Sequence, residues 1–181
     1  DTPWYGADLR TAADAQVVRH RLDRLLDVTR PQLVERAAQV AAETGLTRAT
    51  TLDQWAEQLR MLDGVRDSLD VFQPLVFERT AADLVAATAT KEWREEHGVP
   101  MGFWVRRRLR KQAKDLLRPG RPVTDLHAEL VHVQEQREVW RRHCPTGGWP
   151  RLPEGLSEMT RHARAVDEVT DLVHAVSPCL P

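Results

Sequence analysis

Residues 51–72, TLDQWAEQLRMLDGVRDSLDVF, decide the fold class of this 181-residue chain. Their large apolar side chains recur at spacings of 4, 3, 3, 4 and 3 residues: Trp55, Leu59, Leu62, Val65, Leu69 and Phe72. Such spacings place side chains on one stripe of an α-helix, and a stripe this narrow is typical of a coiled-coil seam. Thr51 and Gln54 fit a capping box at its start, and Pro74 marks its end. The stretch therefore predicts one long amphipathic helix.

Helical spacing also dominates the rest of the chain, and alternating strand-like patterns are almost absent. A first helix is predicted over 11–30, after which Pro31 either breaks it or begins a second helix that ends at Gly45. The second helix is expected to bury Val34, Ala37, Ala38 and Ala41. Later helices are predicted over about 80–90, 101–118, 124–140 (capped by Thr124) and 154–176. The predicted fold is all-α, with helical hairpins forming an elongated bundle or stalk.

Composition narrows the class of protein further. A hydrophobic share of 41% and a charged share of 29% are typical of a folded, soluble chain. No apolar run approaches the ~20 residues of a membrane span, and two cysteines in a chain this long indicate a reduced, cytoplasmic setting. We expect residues 1–181 to form a single helical module, with a candidate sub-boundary near 95–101. The start at Asp1 without Met leads us to expect a segment of a larger protein.

Positive charge is concentrated in one segment, although the whole chain has a net charge of only −1. Residues 97–121 carry 8 Lys and Arg against 1 Asp, a net of +7. Residues 1–96 carry 12 against 17, a net of −5, and residues 122–181 carry 6 against 9, a net of −3. Arginine outnumbers lysine 23 to 3, and Ile and Asn are absent. We attribute this bias to a high-GC genome, so arginine by itself is no sign of function.

The basic segment forms two faces if it is helical, because successive residues turn by about 100°. We call the first the basic face; it carries Arg106, Arg107, Arg110, Lys111 and Lys114, with Arg108 near its edge. The opposite face carries Val105, Leu109, Ala113 and Leu116. Like charges one turn apart repel by a few tenths of a kcal/mol per pair. A purely structural face would more often intersperse glutamate.

Two interpretations of the basic face remain open. In the first, its cations meet phosphates, with counterion release for each charge neutralised and paired phosphate oxygens held by the planar arginine fork. In the second, the cations are solvated or form ion pairs with the acidic neighbouring helices. Contacts to a nucleic-acid backbone carry little sequence information. No helix-turn-helix or zinc-finger pattern indicates base readout.

Candidate catalytic and metal sites are few. The histidines and cysteines form no Cys-x-x-Cys and no His-Glu-x-x-His pattern, and we predict no metal and no cofactor. No phosphate-binding loop is present, so this chain alone cannot be a P-loop ATPase. His143 and Cys144 are adjacent, but a nucleophilic pair would need a sharply bent loop and a third orienting residue that the sequence does not supply. No catalytic residue is predicted.

Six tryptophans are many for this length. Trp55 and Trp140 lie on apolar seams and are expected in the core. Trp93 and Trp104 flank the start of the basic helix. Stacking on nucleic-acid bases beside the cations is one role open to them, but packing is the expectation.

Several segments of the sequence resemble those of one known family. They are TPWYGA at 2–7, residues 55–78 with LDVFQP at 69–74, DLVAATATKEWR at 83–94, residues 106–120 and 125–140, and GGWP at 147–150. Together they are similar to the helical accessory insertion of large actinobacterial superfamily I DNA/RNA helicases of the AAA type. That family's nucleotide-binding and hydrolytic motifs are absent here, so no catalytic residue is carried over. The resemblance implies a helical stalk or arm beside an ATP-dependent motor, with the rest of that ATPase as a partner.

Two functions are compatible with these features. In the favoured one, the chain is a non-catalytic accessory domain of a helicase-type ATPase and contacts the backbone of DNA or RNA through the basic face. In the alternative, it is a protein–protein interaction or scaffold module that binds no nucleic acid. Neither function requires a cofactor or a membrane.

Overall fold

The computed structural model describes residues 11–78, 81–156, 167, 170 and 171. Over this part the chain is all-α, as its periodicity predicts. The helices are α1 (Ala12–Arg24), α2 (Arg30–Thr44), α3 (Leu52–Val71), α4 (Ala81–Thr88), α5 (Lys91–Glu96), α6 (Phe103–Asp115) and α7 (Leu126–His143). A π-helical turn, Leu25–Thr29, joins α1 to α2, and a 3-10 turn, Pro74–Phe77, follows α3. The helix predicted over 154–176 lies largely outside the described residues.

Pro31 lies in the first turn of α2 without interrupting the helical backbone. Leu25, Thr29 and Arg30 all have right-handed helical dihedral angles, and the N–H of Arg30 donates to the carbonyl of Leu25, five residues earlier. A proline ring inside a regular α-helix clashes with the carbonyl four residues before it, and the wider π-helical turn relieves that clash. The chain from α1 through α2 is therefore one continuous helix.

α2 buries a narrower stripe than the sequence predicts. Ala37 and Val40 are buried, whereas Val34 is 46% exposed, so the prediction that Val34 is buried is wrong. Val34 lies one turn before Ala37 and lines a groove that is open to solvent. The remaining predicted positions are half-buried: Ala38 and Ala41. As predicted, the helix ends at Gly45, whose φ of +81° is the left-handed conformation that favours glycine.

The long helix predicted from the apolar seam is α3, and it packs antiparallel to α7. Ser68 Oγ donates to Gln136 Oε1 at 3.0 Å, and Arg142 Nη2 donates to Glu57 Oε1 at 2.7 Å nearer the start of α3. All the predicted seam residues are buried except Leu69, which is half-buried. On α7 the buried side chains are Leu130, Val133 and Trp140. The two helices form an antiparallel pair of a helical bundle, although α4, α5 and α6 lie between them in sequence.

Side-chain caps fix the starts of both helices. Thr51 Oγ1 accepts the N–H of Gln54 at 3.2 Å, as the capping box predicts. The returning bond differs, because Gln54 Oε1 accepts the N–H of Thr50 rather than that of Thr51. α7 is capped by Asp125, whose carboxylate accepts two backbone N–H groups at 3.0 Å. The prediction of Thr124 as the cap is wrong by one residue, and aspartate is an equally good cap.

α4 is a short, largely buried helix that contacts both α6 and α7. Its buried residues are Ala81, Leu84, Val85, Ala86 and Ala87. Alanines add little bulk, so neighbouring helices can approach the α4 backbone closely. One hydrophobic cluster contains residues from both sides of segment 95–101. α4 therefore connects the antiparallel pair α3–α7 to α6.

Hydrogen bonds join the C-terminal end of α6 to that of α3. The N–H of Gln73 donates to the carbonyl of Leu116 at 2.8 Å, and the N–H of Arg118 donates to that of Val71 at 2.9 Å. The side-chain Nε of Arg118 also donates to two carbonyl oxygens at the end of α3. The last carbonyl groups of a helix lack helical partners, so these bonds satisfy them. They also fix where α6 ends relative to the core.

Candidate nucleic-acid interface

α6 contains the basic segment and buries less of its apolar face than the sequence predicts. Ala113 is buried, Leu116 is buried just after the helix ends, and Leu109 is half-buried. Val105, in the first turn, is 46% exposed. The first turn of α6 therefore projects beyond the core, and its side chains meet solvent.

Arg106 differs from the rest of the basic face because its guanidinium is directed at α4. Its Nε lies 3.3 Å from the carbonyl oxygen of Ala87, and its Nη2 lies 3.4 Å from that of Ala89. Arg94 Nη1 donates to the same Ala89 oxygen at 2.7 Å. Two positive charges here complement the negative end of the α4 dipole. Burial lowers the pKa of Arg106, and the charges of Arg94 and Arg110 lower it further.

The other four predicted site residues lie together on the exposed side of α6, and we call them the cation row: Arg107, Arg110, Lys111 and Lys114. Arg108 at its edge is exposed too. In the part of the chain that the structure describes, no ion pair joins these side chains to a carboxylate. From Arg107 to Lys114 the row extends for about 10 Å along the helix axis, at 1.5 Å per residue.

Some arginines on other helices form ion pairs with carboxylates. Arg66 on α3 contacts Asp63 and Asp67, each at 3.1 Å, and the hydrogen bond with Asp67 is the largest cause of the raised pKa of Arg66. Arg142 on α7 contacts Glu57 at 2.7 Å. Exposed arginines without a carboxylate partner also occur elsewhere in the described chain, for example Arg48, Arg60 and Arg141. The cation row differs from them because it groups four such cations on one side of a single helix.

Two aromatic residues begin α6 and are among the most exposed apolar side chains of the described chain. Phe103 is 67% exposed and Trp104 is 77% exposed, and their rings meet edge to face with centroids 5.3 Å apart. The expectation that Trp104 packs is therefore wrong, because the first turn of α6 extends beyond its neighbours. Trp93 does pack, since it stacks on His97 at 3.9 Å and meets the edge of His127 at 5.3 Å.

Helical rotation places both exposed rings on the same side of α6 as the cations. At about 100° per residue, Phe103 falls about 60° and Trp104 about 160° from Arg106. The aromatic and basic side chains line one shallow surface depression: Phe103, Trp104, Arg106, Arg107, Arg108, Arg110, Lys111 and Lys114. Phe103 is not among the sequence-predicted site residues, although the same rotation rule would place it there.

His143 and Cys144 form no catalytic pair. His143 Nε2 lies 2.6 Å from Glu57 Oε2, and this hydrogen bond is the main cause of the lowered pKa of Glu57. Cys144 is buried, and its Sγ lies 3.1 Å from the carbonyl oxygen of Gly147 and 3.5 Å from that of Gly45. The two side chains therefore bind different groups. Both sets of contacts tie the end of α7 to its surroundings.

Within the described ranges, no group of three or more His, Cys, Asp or Glu side chains could hold a metal ion. Nor does any helix there combine the length and the apolar character that a membrane crossing requires. Comparison with known proteins gives no match to a family model, to a curated protein or to a solved structure. The geometry of α6 is therefore the main indication of function.

Proposed function

We propose that this chain is a non-catalytic helical module that binds the sugar–phosphate backbone of a nucleic acid through α6. The observation that carries the proposal is the cation row, which is exposed and has no carboxylate partner in the described part of the chain. Arg107–Lys111 and Arg110–Lys114 are like-charge pairs one turn apart, and each repels by a few tenths of a kcal/mol. A phosphate backbone would relieve this repulsion.

The dimensions of the cation row suit a polymer of phosphates better than one small anion. Two guanidinium groups and two ammonium groups are spread over about 10 Å of helix axis. Successive nucleotides of one stacked strand are about 3.4 Å apart, so about three nucleotides would fit along that length. Arg107 and Arg110 can each hold two phosphate oxygens, whereas Lys111 and Lys114 contribute point charges. Such contacts would be independent of base sequence.

The core holds α6 in a fixed position for this role. Arg106 donates to carbonyl groups near the end of α4, and Arg118 donates to carbonyl groups at the end of α3. The cation row lies between these two attachments. A ligand would therefore meet a helix that is already formed and attached, and only the side chains of the cation row would lose conformational entropy on binding.

The wider context that we propose is an accessory part of a helicase-type ATPase. The support for this context is the sequence resemblance described above, including the segment over 106–120. In that arrangement the motor would supply ATP hydrolysis, and α6 would hold or guide the DNA or RNA strand.

A second candidate is a protein-interaction module in which the cation row docks on an acidic partner. The observation that favours it is the net charge of −1, because a chain so close to neutral attracts nucleic acid only weakly over long distances. This candidate predicts capture of an acidic protein surface and no binding of nucleic acid.

The decisive experiment measures binding of fluorescently labelled DNA and RNA by anisotropy over a series of NaCl concentrations. We expect log Kd to rise with log[NaCl] with a slope of about 3, since four cations each release about 0.7 to 0.9 of a counterion. The test variant replaces the cation row by alanine: R107A, R110A, K111A and K114A. A matched control removes the same charge from four exposed arginines elsewhere: R48A, R60A, R141A and R151A.

The proposal requires that the test variant loses binding and that the control keeps it. An equal loss in both variants would mean that only net charge matters, and the role of α6 would be refuted. Absence of binding at low salt would remove nucleic acid as the ligand and leave the protein-interaction candidate.

A further inference from the structure

We infer that the nucleic acid bound at α6 is single-stranded and that one of its bases stacks on Trp104. This inference rests on the proposed function, because it assumes that the cation row holds a phosphate backbone. It adds a site for the base and selects the class of ligand. Three observations carry it: the exposure of the aromatic pair, its edge-to-face arrangement and its position beside the cations.

The exposure of Trp104 calls for an explanation. An indole ring is the largest apolar side chain, and here 77% of its residue surface faces solvent next to a phenylalanine that is 67% exposed. Single exposed apolar side chains are ordinary, but adjoining aromatic rings make a patch, and such patches often mark binding sites. The two tryptophans of the predicted seams are buried by contrast, with Trp55 at 3% and Trp140 at 2% exposure.

The two rings contact each other. Their planes meet at 78° with centroids 5.3 Å apart, which is the edge-to-face geometry that aromatic pairs prefer. Such a contact favours this arrangement of the pair. The exposed flat ring of Trp104 is a surface on which another flat ring can stack.

The distance from Trp104 to the nearest cations of α6 is similar to the distance between the base and the phosphate of a nucleotide. Arg107 and Arg108 follow it by three and four residues, so they lie about one helical turn along the same side of α6. A nucleotide places its base and its phosphate within a similar distance of each other. One strand can therefore put a base on the Trp104 ring while its phosphates meet Arg107 and the cations beyond.

A single strand suits this surface better than a duplex or an apolar protein partner. In a duplex both faces of each internal base are covered by neighbouring bases, so only the backbone could bind. An apolar protein surface would cover the rings but would leave Arg107, Arg108 and Lys111 without counter-charges. Single-stranded nucleic acid supplies a π face and phosphates together, and this pairing of stacking with positive charge is the usual way of binding single strands.

The experiment compares binding of a ten-nucleotide oligothymidylate with that of a duplex of equal length, for the wild type and for Trp104→Ala. Loss of one base stack weakens single-strand binding about 5- to 150-fold. We expect this loss for the oligothymidylate and less than a twofold change for the duplex. Trp104→Phe keeps a flat ring and should restore most of the single-strand affinity. Leu75→Ala, which removes an exposed apolar side chain from another element, is the control.

Three other outcomes would overturn the stacking inference, and they differ in what they say about the cation row. If Trp104→Ala binds both ligands as the wild type does, the stacking inference is overturned while the cation row keeps its proposed function. If neither ligand binds the wild type at low salt, both proposals are overturned. Sedimentation could instead show that the wild type self-associates and that Trp104→Ala is monomeric, with unchanged oligothymidylate binding. The rings would then form a protein interface, and the inference would again be overturned.

Discussion

The guanidinium of Arg106 donates a hydrogen bond to the carbonyl oxygen of Ala87, 3.3 Å away. That carbonyl belongs to the last turn of α4, where carbonyl groups lack partners within the helix. The bond attaches α6 to α4, whereas the next residue, Arg107, is exposed to solvent. Two adjacent arginines of the basic face therefore have different roles, one in stability and one in the proposed binding.

Arg106→Ala should destabilise the fold, and Arg107→Ala should not. Removing Arg106 leaves the carbonyl of Ala87 without its charged donor, whereas that of Ala89 keeps Arg94, and we expect a loss of about 1 kcal/mol in the free energy of unfolding. Arg107 is exposed, so its replacement should change that free energy by less than about 0.5 kcal/mol. Urea denaturation followed by circular dichroism measures both. Equal effects in the two variants would contradict the distinction.

Gly64 and Gln136 should be energetically coupled. A Cβ added at Gly64 would lie 2.7 Å from Gln136 Nε2, so Gly64→Ala forces this side chain away from its hydrogen bond with Ser68. The lost bond, worth about 1 kcal/mol, offsets the gain in helix propensity of about 1 kcal/mol. We expect Gly64→Ala to be nearly neutral in the wild type but stabilising by about 1 kcal/mol in the Gln136→Ala background. A double-mutant cycle with no coupling would refute this account.

The stability of the fold should depend on Glu57 in a defined pH range. The hydrogen bond with His143, aided by the charge of Arg142, lowers the pKa of Glu57 from its ordinary value of 4.5. A carboxyl group with a lowered folded-state pKa stabilises the fold above its unfolded pKa, and this stabilisation disappears as the pH falls through the folded pKa. Glu57→Gln should therefore cost about 0.5 kcal/mol at pH 7 and nothing once the pH is well below 4.5.

Urea midpoints measured between pH 3 and pH 7 test the role of Glu57, with Glu96→Gln as an exposed control. The wild type and the control should lose stability in parallel. A difference between Glu57→Gln and the wild type that persists unchanged at the lowest pH would show that the carboxylate charge is not responsible.

Cys144 should react with thiol reagents only when the chain unfolds. Its Sγ is buried and directed at the carbonyl oxygens of Gly147 and Gly45, so a reagent has no access to it. In a Cys179→Ser background, which leaves Cys144 as the one thiol, alkylation by iodoacetamide should be slow in buffer and fast in urea. Rapid modification of the folded protein would indicate instead an open and reactive site.

The sequence alone could predict the features that depend on local periodicity. The seam of α3, the cap at Thr51 and the stop at Gly45 follow from spacing and residue type, and all three are present. The all-α class follows in the same way. Helical rotation also separates the cation row from the apolar side of α6, because side-chain direction within one helix needs no knowledge of the neighbours.

Burial at the ends of helices could not be predicted in this way, because it depends on how far a neighbouring element reaches. Val34 and Trp104 have residue types and positions that suit packing, but no described element covers them. Arg106 is an intermediate case. On the helical wheel it lies at the edge of the basic face nearest the apolar side chains, yet its partner is a carbonyl of α4 that only the tertiary arrangement brings near.

The two arginine attachments of α6 have a mechanical consequence. Arg106 donates a hydrogen bond to a carbonyl in the last turn of α4, and Arg118 donates to carbonyls at the end of α3. The cation row lies between these two arginines on α6. Tension on a strand held at this row would be shared by two anchors and passed into the packed helices. α6 would not move independently of the rest of the fold under that tension. Under the proposed function, a motor pulling on a bound strand would therefore act against the packed helices.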